Sequence, residues 1–285
     1  MRSAMTRTGR QHFLSWILFI TAPLLAVSSE PWSLEADIAA GGGRLSYEED
    51  SAGLESEWSA PAFILEGRAR LRAPRRLLFA ASSRLTVTDK DQEEWSEDGL
   101  VRQENQLHLA GVHALGEAGW AVVQAEALQA AILLGMGARY QHFVRNDLVL
   151  RDESFHNWEE AEEDVYLGYV NAAMEGSARL APRLNLSGRI EAGYIFSAQV
   201  ENSLVSGRTL DGDDGLILGA QLSLDWQASE RSVVSCGLAW ELQEINGDTS
   251  EFYAVQQGNV YLYEVEWPDN TMESVWAQIN WMFSF

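Results

Sequence analysis

Apolar residues occupy every second position over ten separate stretches of this 285-residue chain. Such alternation sets one face of a strand against an apolar phase and the other against a polar one. The stretches fall at about 33–47, 58–72, 76–88, 101–115, 130–144, 165–180, 184–196, 215–226, 232–245 and 275–285. The seventh is the cleanest, with Leu184, Leu186, Gly188, Ile190, Ala192, Tyr194 and Phe196 alternating with Asn185, Ser187, Arg189, Glu191 and Gly193. The last sets Val275, Ala277, Ile279, Trp281, Phe283 and Phe285 against Trp276, Gln278, Asn280, Met282 and Ser284. Each stretch is about as long as one strand needs to cross a bilayer with lipid on one face and a polar lumen on the other. The pattern predicts an all-β fold, a closed antiparallel transmembrane β-barrel of ten strands.

The same alternation assigns faces. Ile38, Phe63, Leu65, Leu85, Ile132, Leu134, Leu222, Cys236 and Leu238 are expected outside, as are Leu107 and Leu109 of the fourth stretch. The lumen is expected to receive Glu66, Arg68, Arg70, Arg84, His108, Arg139, Glu175, Arg179, Arg189, Glu191, Asp225 and Glu241. Both signs are present in comparable number, and buried charges must pair or stay wet, so a mutually satisfied network plugging a narrow barrel is expected. Gly41-Gly42-Gly43 marks a bulge or tight curvature. The segment 116–129 reads either as a short helix at the rim or as strand throughout.

The connections sort by length. Those near 73–75, 181–183 and 228–231 are short, whereas 48–57, 89–100, 145–164, 197–214 and 246–272 are long and acidic. Short periplasmic turns opposite long extracellular loops are the layout of an even-numbered outer-membrane barrel. A soluble all-β sandwich, the competing architecture, leaves that asymmetry without a cause. Closure also removes sheet edges that lipid cannot hydrate.

The two ends agree with export. Residues 1–10 hold Arg2, Arg7 and Arg10 and no acid, residues 13–27 are almost wholly apolar, and Ala26-Val27-Ser28 is a small-x-small site. This is the order of a secretory signal peptide over 1–28, leaving a single barrel domain over 29–285. Read as a retained helix, the apolar run is short for a span and nothing after it stops transfer. At the other end, a strand finishing on Phe285, with aromatic residues two and four positions earlier, resembles the C-terminal signal read by the barrel-assembly machinery of the outer membrane. Localisation in the outer membrane of a Gram-negative cell, in contact with its lipids and lipopolysaccharide, is the expectation.

Charge and candidate chemistry narrow the function less. The formal net charge is −22, and the three signal-peptide arginines leave without any acid. Such a surface repels nucleic acid phosphates and attracts cations or basic peptides. One cysteine, Cys236, excludes an intrachain disulfide. Asp211-Gly212-Asp213-Asp214 is a fragment of a calcium loop without its further spaced ligands. His113 is expected near the periplasmic rim, and His142 and His156 towards the outside. No Ser-His-Asp order, phosphate loop or histidine cluster stands out, so no catalytic, metal or cofactor residue is assigned and no cofactor is implied.

The layout of ten strands with five long outer loops resembles the omptin family of outer-membrane proteases. The local echoes are Gly135-Met136-Gly137-Ala138-Arg139-Tyr140-Gln141-His142, Ala192-Gly193-Tyr194-Ile195-Phe196-Ser197-Ala198 and Gly247-Asp248-Thr249-Ser250. The resemblance implies lipopolysaccharide binding and cleavage of peptides at basic residues, by a carboxylate pair facing an Asp-x-His. Here the pair falls on Gln92-Glu93-Glu94-Trp95 and the Asp-x-His on Glu201-Asn202-Ser203, where the histidine is missing. Without that imidazole there is no evident base. The reading is therefore an omptin-like barrel without evident catalytic machinery, whose acidic mouth serves a surface or binding role. The alternatives are a divergent surface protease or hydrolase using loop carboxylates with His156, and a narrow cation-favouring channel.

Overall fold

A computed structural model describes residues 32–51, 53–151, 160–203, 209–256 and 259–285. The expected signal peptide over 1–28, together with Asp152, Glu153, His156 and Glu159, lies outside the described residues. Among the described residues fourteen strands are formed: β1 (Ser33–Ser51), β2 (Leu54–Arg72), β3 (Leu77–Thr88), β4 (Asp91–Glu97), β5 (Leu100–Gln124), β6 (Leu128–Leu150) and β7 (Glu160–Ala181), then β8 (Leu184–Asn202), β9 (Thr209–Gly212), β10 (Gly215–Ser229), β11 (Ser232–Ile245), β12 (Asp248–Gln256), β13 (Asn259–Trp267) and β14 (Asp269–Ser284).

Ten of them close on themselves, in the order β1-β2-β3-β5-β6-β7-β8-β10-β11-β14 and back to β1, all antiparallel. The ten expected stretches are the ten staves. The four others extend the wall at one end: β4 continues between β2 and β5, β9 pairs with β8, and β12 and β13 form a hairpin of their own. Closure reaches the last residue, because the Phe285 N–H donates to the Leu34 carbonyl at 2.8 Å.

The segment 116–129 is strand on both sides of a two-residue turn, whose Ala125 and Leu128 exchange backbone hydrogen bonds at 2.9 and 3.3 Å. Of the acidic connections, 48–57 and 89–100 are mostly strand. They carry the wall upward beyond the bilayer crossing.

No register shift interrupts the pairing of Gly41-Gly42-Gly43 on either side, so of the two expected features, a bulge or tight curvature, the bulge is not formed. Instead the neighbouring strand runs close. A Cβ at Gly43 would strike the carbonyl oxygen of Val275, and one at Gly41 that of Ala277. Register shifts fall elsewhere, and one within the wall is in β8, where the pairing with β7 shifts between Gly168 and Tyr169. Phe196 turns outward there while Ala198 and Val200 stay buried inside.

The apolar phase reverses along the strands. In the half nearer the turns the apolar residues point outward: Ile38, Leu65, Leu134, Met174, Ile190, Leu222, Leu238 and Ile279 are all exposed, the last at 67%. Trp120, Trp226 and Trp281 edge this band towards the turns, and Tyr194 and Phe196 edge it towards the loops. Nearer the loops the opposite face becomes apolar. Leu45, Tyr47, Trp58, Leu107, Leu109, Phe143, Val165, Leu167 and Val200 form one buried cluster inside the barrel, while Glu48, Asp50, Glu55, Glu57 and Glu162 stand outside. Apart from β8, where the bulge at Phe196 switches the inward row from odd to even positions, the strands carry one inward row through this change; the solvent outside has changed from lipid to water, and the pattern follows it.

This reversal corrects the reading of β5. Leu107 and Leu109 are 0% and 1% exposed inside, and His108 faces outward between them. Two further placements change. Arg179 sits at the turn end, paired with Glu126 at 2.7 Å with both side chains exposed, and not in the lumen. His113 lies in the middle of the lumen against the Tyr169 hydroxyl, far from the rim.

Candidate functional site

The inward face of the lipid-level half is a stack of ion pairs. Nearest the turns, Glu175 receives Arg70 at 2.6 Å and Arg68 at 3.1 Å, while Glu35 receives Arg72 at 3.1 Å. Above them Arg189 joins Glu117 at 2.6 Å and Glu191 at 2.7 Å. Higher still, Glu241 is held between Arg84 at 2.6 Å and Arg139 at 2.8 Å, and Arg139 also donates to Gln243 at 3.1 Å. These residues come from eight strands, so the network ties opposite walls together. In an enclosed space each charge needs its partner, which is why the two signs match so closely.

Little room remains. Voids of about 60 Å³ and 40 Å³ lie among Glu117, Arg189 and Glu241, and among Arg84, His113 and Gln141. Each has room for only a few waters. A larger cavity of about 540 Å³ is confined to the turn end, lined by Glu35, Asp37, Arg70 and Asn280. Above the voids, the apolar cluster of Leu45, Leu109 and Phe143 closes the bore.

A second charged cluster sits above that cluster, beyond the apolar band. Arg145 of β6 donates from Nη2 to Glu49 of β1 at 3.0 Å and from Nε to Glu93 of β4 at 2.9 Å. Its guanidinium also lies 5.7 Å from the centre of the Trp95 ring. Glu93 is wholly buried, and accepts further bonds from Asn105 Nδ2 at 2.6 Å and Ser56 Oγ at 3.1 Å. Glu49 accepts the Tyr47 hydroxyl. Glu163 of β7 completes the group and accepts Asn202 Nδ2 at 3.0 Å. Burial pushes the Glu49 carboxyl up, and only Arg145 and the Tyr47 bond pull it back.

The described residues proposed from omptin spacing are engaged separately, and His156 lies outside the described residues. Glu93 points inward to Arg145, whereas its neighbour Glu94 is exposed on the other face, accepting from Gln92 at 3.3 Å. Glu201 is exposed, and Ser203 Oγ accepts the backbone N–H of Glu162 at 2.9 Å. The fragment Asp211-Gly212-Asp213-Asp214 is spent on local bonds: Asp214 accepts Asn246 at 2.8 Å and Tyr194 at 3.1 Å. Among the described residues no group of three or more His, Cys, Asp or Glu side chains is arranged to hold a metal ion. One Asp–His contact does exist, on the outer wall just above the apolar band. His142 Nδ1 lies 2.7 Å from Asp164, which also accepts the Tyr140 hydroxyl at 2.6 Å.

Spacing alone missed Glu49, Arg145 and Glu163 as a buried group, because all three fall in segments expected to be loops. A signal was present. Leu45-x-Tyr47-x-Glu49, Phe143-x-Arg145 and Ala161-x-Glu163-x-Val165 continue a period of two beyond the bilayer length.

No protein-family model matches the chain, and no curated protein matches it in sequence. Solved structures do. The outer membrane protease OmpT from Escherichia coli matches with a TM-score of 0.69 at 13% identity, over 92% of this chain and 99% of that one. The transport unit of the autotransporter AIDA-I from Escherichia coli matches at 11% identity over 96% and 97%, with a TM-score of 0.46. The translocator domain of the autotransporter NalP from Neisseria meningitidis matches at 12% identity over 95% of each chain, with a TM-score of 0.39. At these identities only the first likeness carries weight, and it is a likeness of fold: the chain is a closed ten-strand barrel of the kind found in bacterial outer membranes.

Proposed function

We propose that the chain is a plugged outer-membrane barrel whose working surface is its acidic extracellular rim. In this reading the turns face the periplasm, the extended end stands outside the cell, and lipopolysaccharide and other outer-membrane lipids cover the apolar band. The strand ending in Phe285 is the part recognised by the barrel-assembly machinery. The rim presents Glu48, Asp50, Glu55, Glu57, Glu94, Glu97, Glu160, Glu162 and Glu201 as exposed acids, against Arg44, Lys90 and Arg151. Such a surface concentrates cations and basic peptides near it. The observation that carries the reading is the bore itself, sealed by ion pairs below and by apolar side chains above, which leaves the outside as the place to act.

Two measurements on protein folded into lipid test this. In planar bilayers it is expected to give conductance steps near zero; regular open steps would turn the reading to the channel. A fluorescent polybasic peptide is expected to bind with an affinity that falls steeply as salt rises, because exposed charges are screened within a Debye length of about 8 Å at physiological ionic strength. Salt-independent binding or none contradicts an electrostatic rim, and cleavage of a dibasic peptide would revive the protease.

A further inference from the structure

We infer that the mouth of the barrel is a proton-binding site in which Glu163 carries the proton. Three carboxylates, Glu49, Glu93 and Glu163, are buried there with one guanidinium, that of Arg145. Their bonding is unequal. Glu93 accepts from Arg145, Asn105 and Ser56, the environment of an ionised group. Glu49 accepts from Arg145 and Tyr47. Glu163 accepts one bond, at Oε2 from Asn202, and its Oε1 is buried without a partner although the residue is only 4% exposed. A bare oxygen on a buried charged carboxylate is costly, and adding a proton there removes the charge that makes it so.

A second observation shows that polar pairing at the mouth is incomplete. Asn270, whose Cα is the register partner of Glu49, is also buried, with its Nδ2 unpartnered. The cluster thus holds an unsatisfied acceptor and an unsatisfied donor. A proton on Glu163 satisfies the acceptor without any further ligand, and among the described residues no His, Cys, Asp and Glu group is arranged to hold a metal ion. The groups that face Glu163 are Tyr47 and Glu49 from β1, Glu93 from β4, Arg145 from β6 and Asn202 from β8, with Asp164 beside it on its own strand. Burial is the largest influence and raises the Glu163 carboxyl above its ordinary range; Arg145 and the Asn202 bond oppose it, and Glu93 and Asp164 add to it. A carboxyl raised in the native state binds its proton more tightly there than in the unfolded chain. Its contribution to stability is complete below the ordinary carboxylate range and is lost as pH rises through the native value. The mouth is therefore tight in mild acid and loosened by alkali.

Infrared difference spectra of the full chain in lipid vesicles, native minus Glu163→Gln, test this directly. They are expected to show the carbonyl band of an un-ionised carboxyl group in mild acid, and to lose it as pH is raised. A companion variant, Asn202→Val, deletes the bond that favours the ionised form, so it is expected to shift the titration midpoint upward. The inference is overturned if the difference band is absent in mild acid, or if the Asn202→Val midpoint stays put or falls. Should Glu163→Gln fail to fold, the direction of the Asn202→Val shift decides alone.

Discussion

Arg145→Met is expected to lower the unfolding free energy by about 3–5 kcal/mol, among the largest losses from a single side chain outside the lipid. The guanidinium holds Glu49 at 3.0 Å and Glu93 at 2.9 Å, and both carboxylates are buried. Methionine fills much of the volume but leaves two buried carboxylates with no cation, and the uncompensated charge accounts for the loss. The control is Arg151→Ala. Arg151 lies 2.9 Å from Glu104, but its side chain is 55% exposed. Screening and side-chain entropy limit such a pair to about 0–1 kcal/mol. Chemical unfolding in lipid vesicles separates the cases, and equal losses would show that the mouth cluster is hydrated and not dry.

Ile279→Arg is expected to cost about 2–4 kcal/mol and to impair insertion, the known scale for a cation at the midplane of a barrel's lipid face. Ile279 stands in the middle of the outward row of β14. The same substitution at Glu48, outward on β1 above the apolar band, is expected to change stability by less than about 0.5 kcal/mol, as for an ordinary surface position. Vesicle insertion assays on the two variants check the difference. Equal tolerance would mean that hydrocarbon does not cover Ile279.

Both predictions depend on which solvent touches a given position, and that also set how far the chain could be read unaided. Inside the bilayer crossing the alternation is decisive. It located all ten staves and placed Arg84, Arg139, Arg189 and Glu241 in the lumen, because lipid tolerates no polar side chain and the two faces cannot be confused. Above the crossing, apolar-outward no longer holds. Leu107 and Leu109 were assigned the lipid face by a rule that stops applying a few residues below them. Glu49, Arg145 and Glu163 looked like solvated loop charges for the same reason, since nothing local in a run of acids reveals that the strands continue. His113 was expected near the periplasmic rim, and period alone cannot supply height; the outward face given to Leu107 and Leu109 also hid that their row, His113 included, points inward. The carboxylate pair expected at Glu93 and Glu94 split because adjacent residues of a strand face opposite ways. That outcome was available once 91–97 was recognised as strand.

The central claim is that each stave changes its apolar face where it leaves the hydrocarbon, and single-cysteine labelling along β1 tests it most directly. In a Cys236→Ser background, a label at Ile38 is expected to be quenched from within the lipid, one at Glu48 by a water-soluble quencher, and one at Leu45 by neither. If labels at Leu45 or Tyr47 reach lipid, the apolar face does not change and the account of the mouth is wrong.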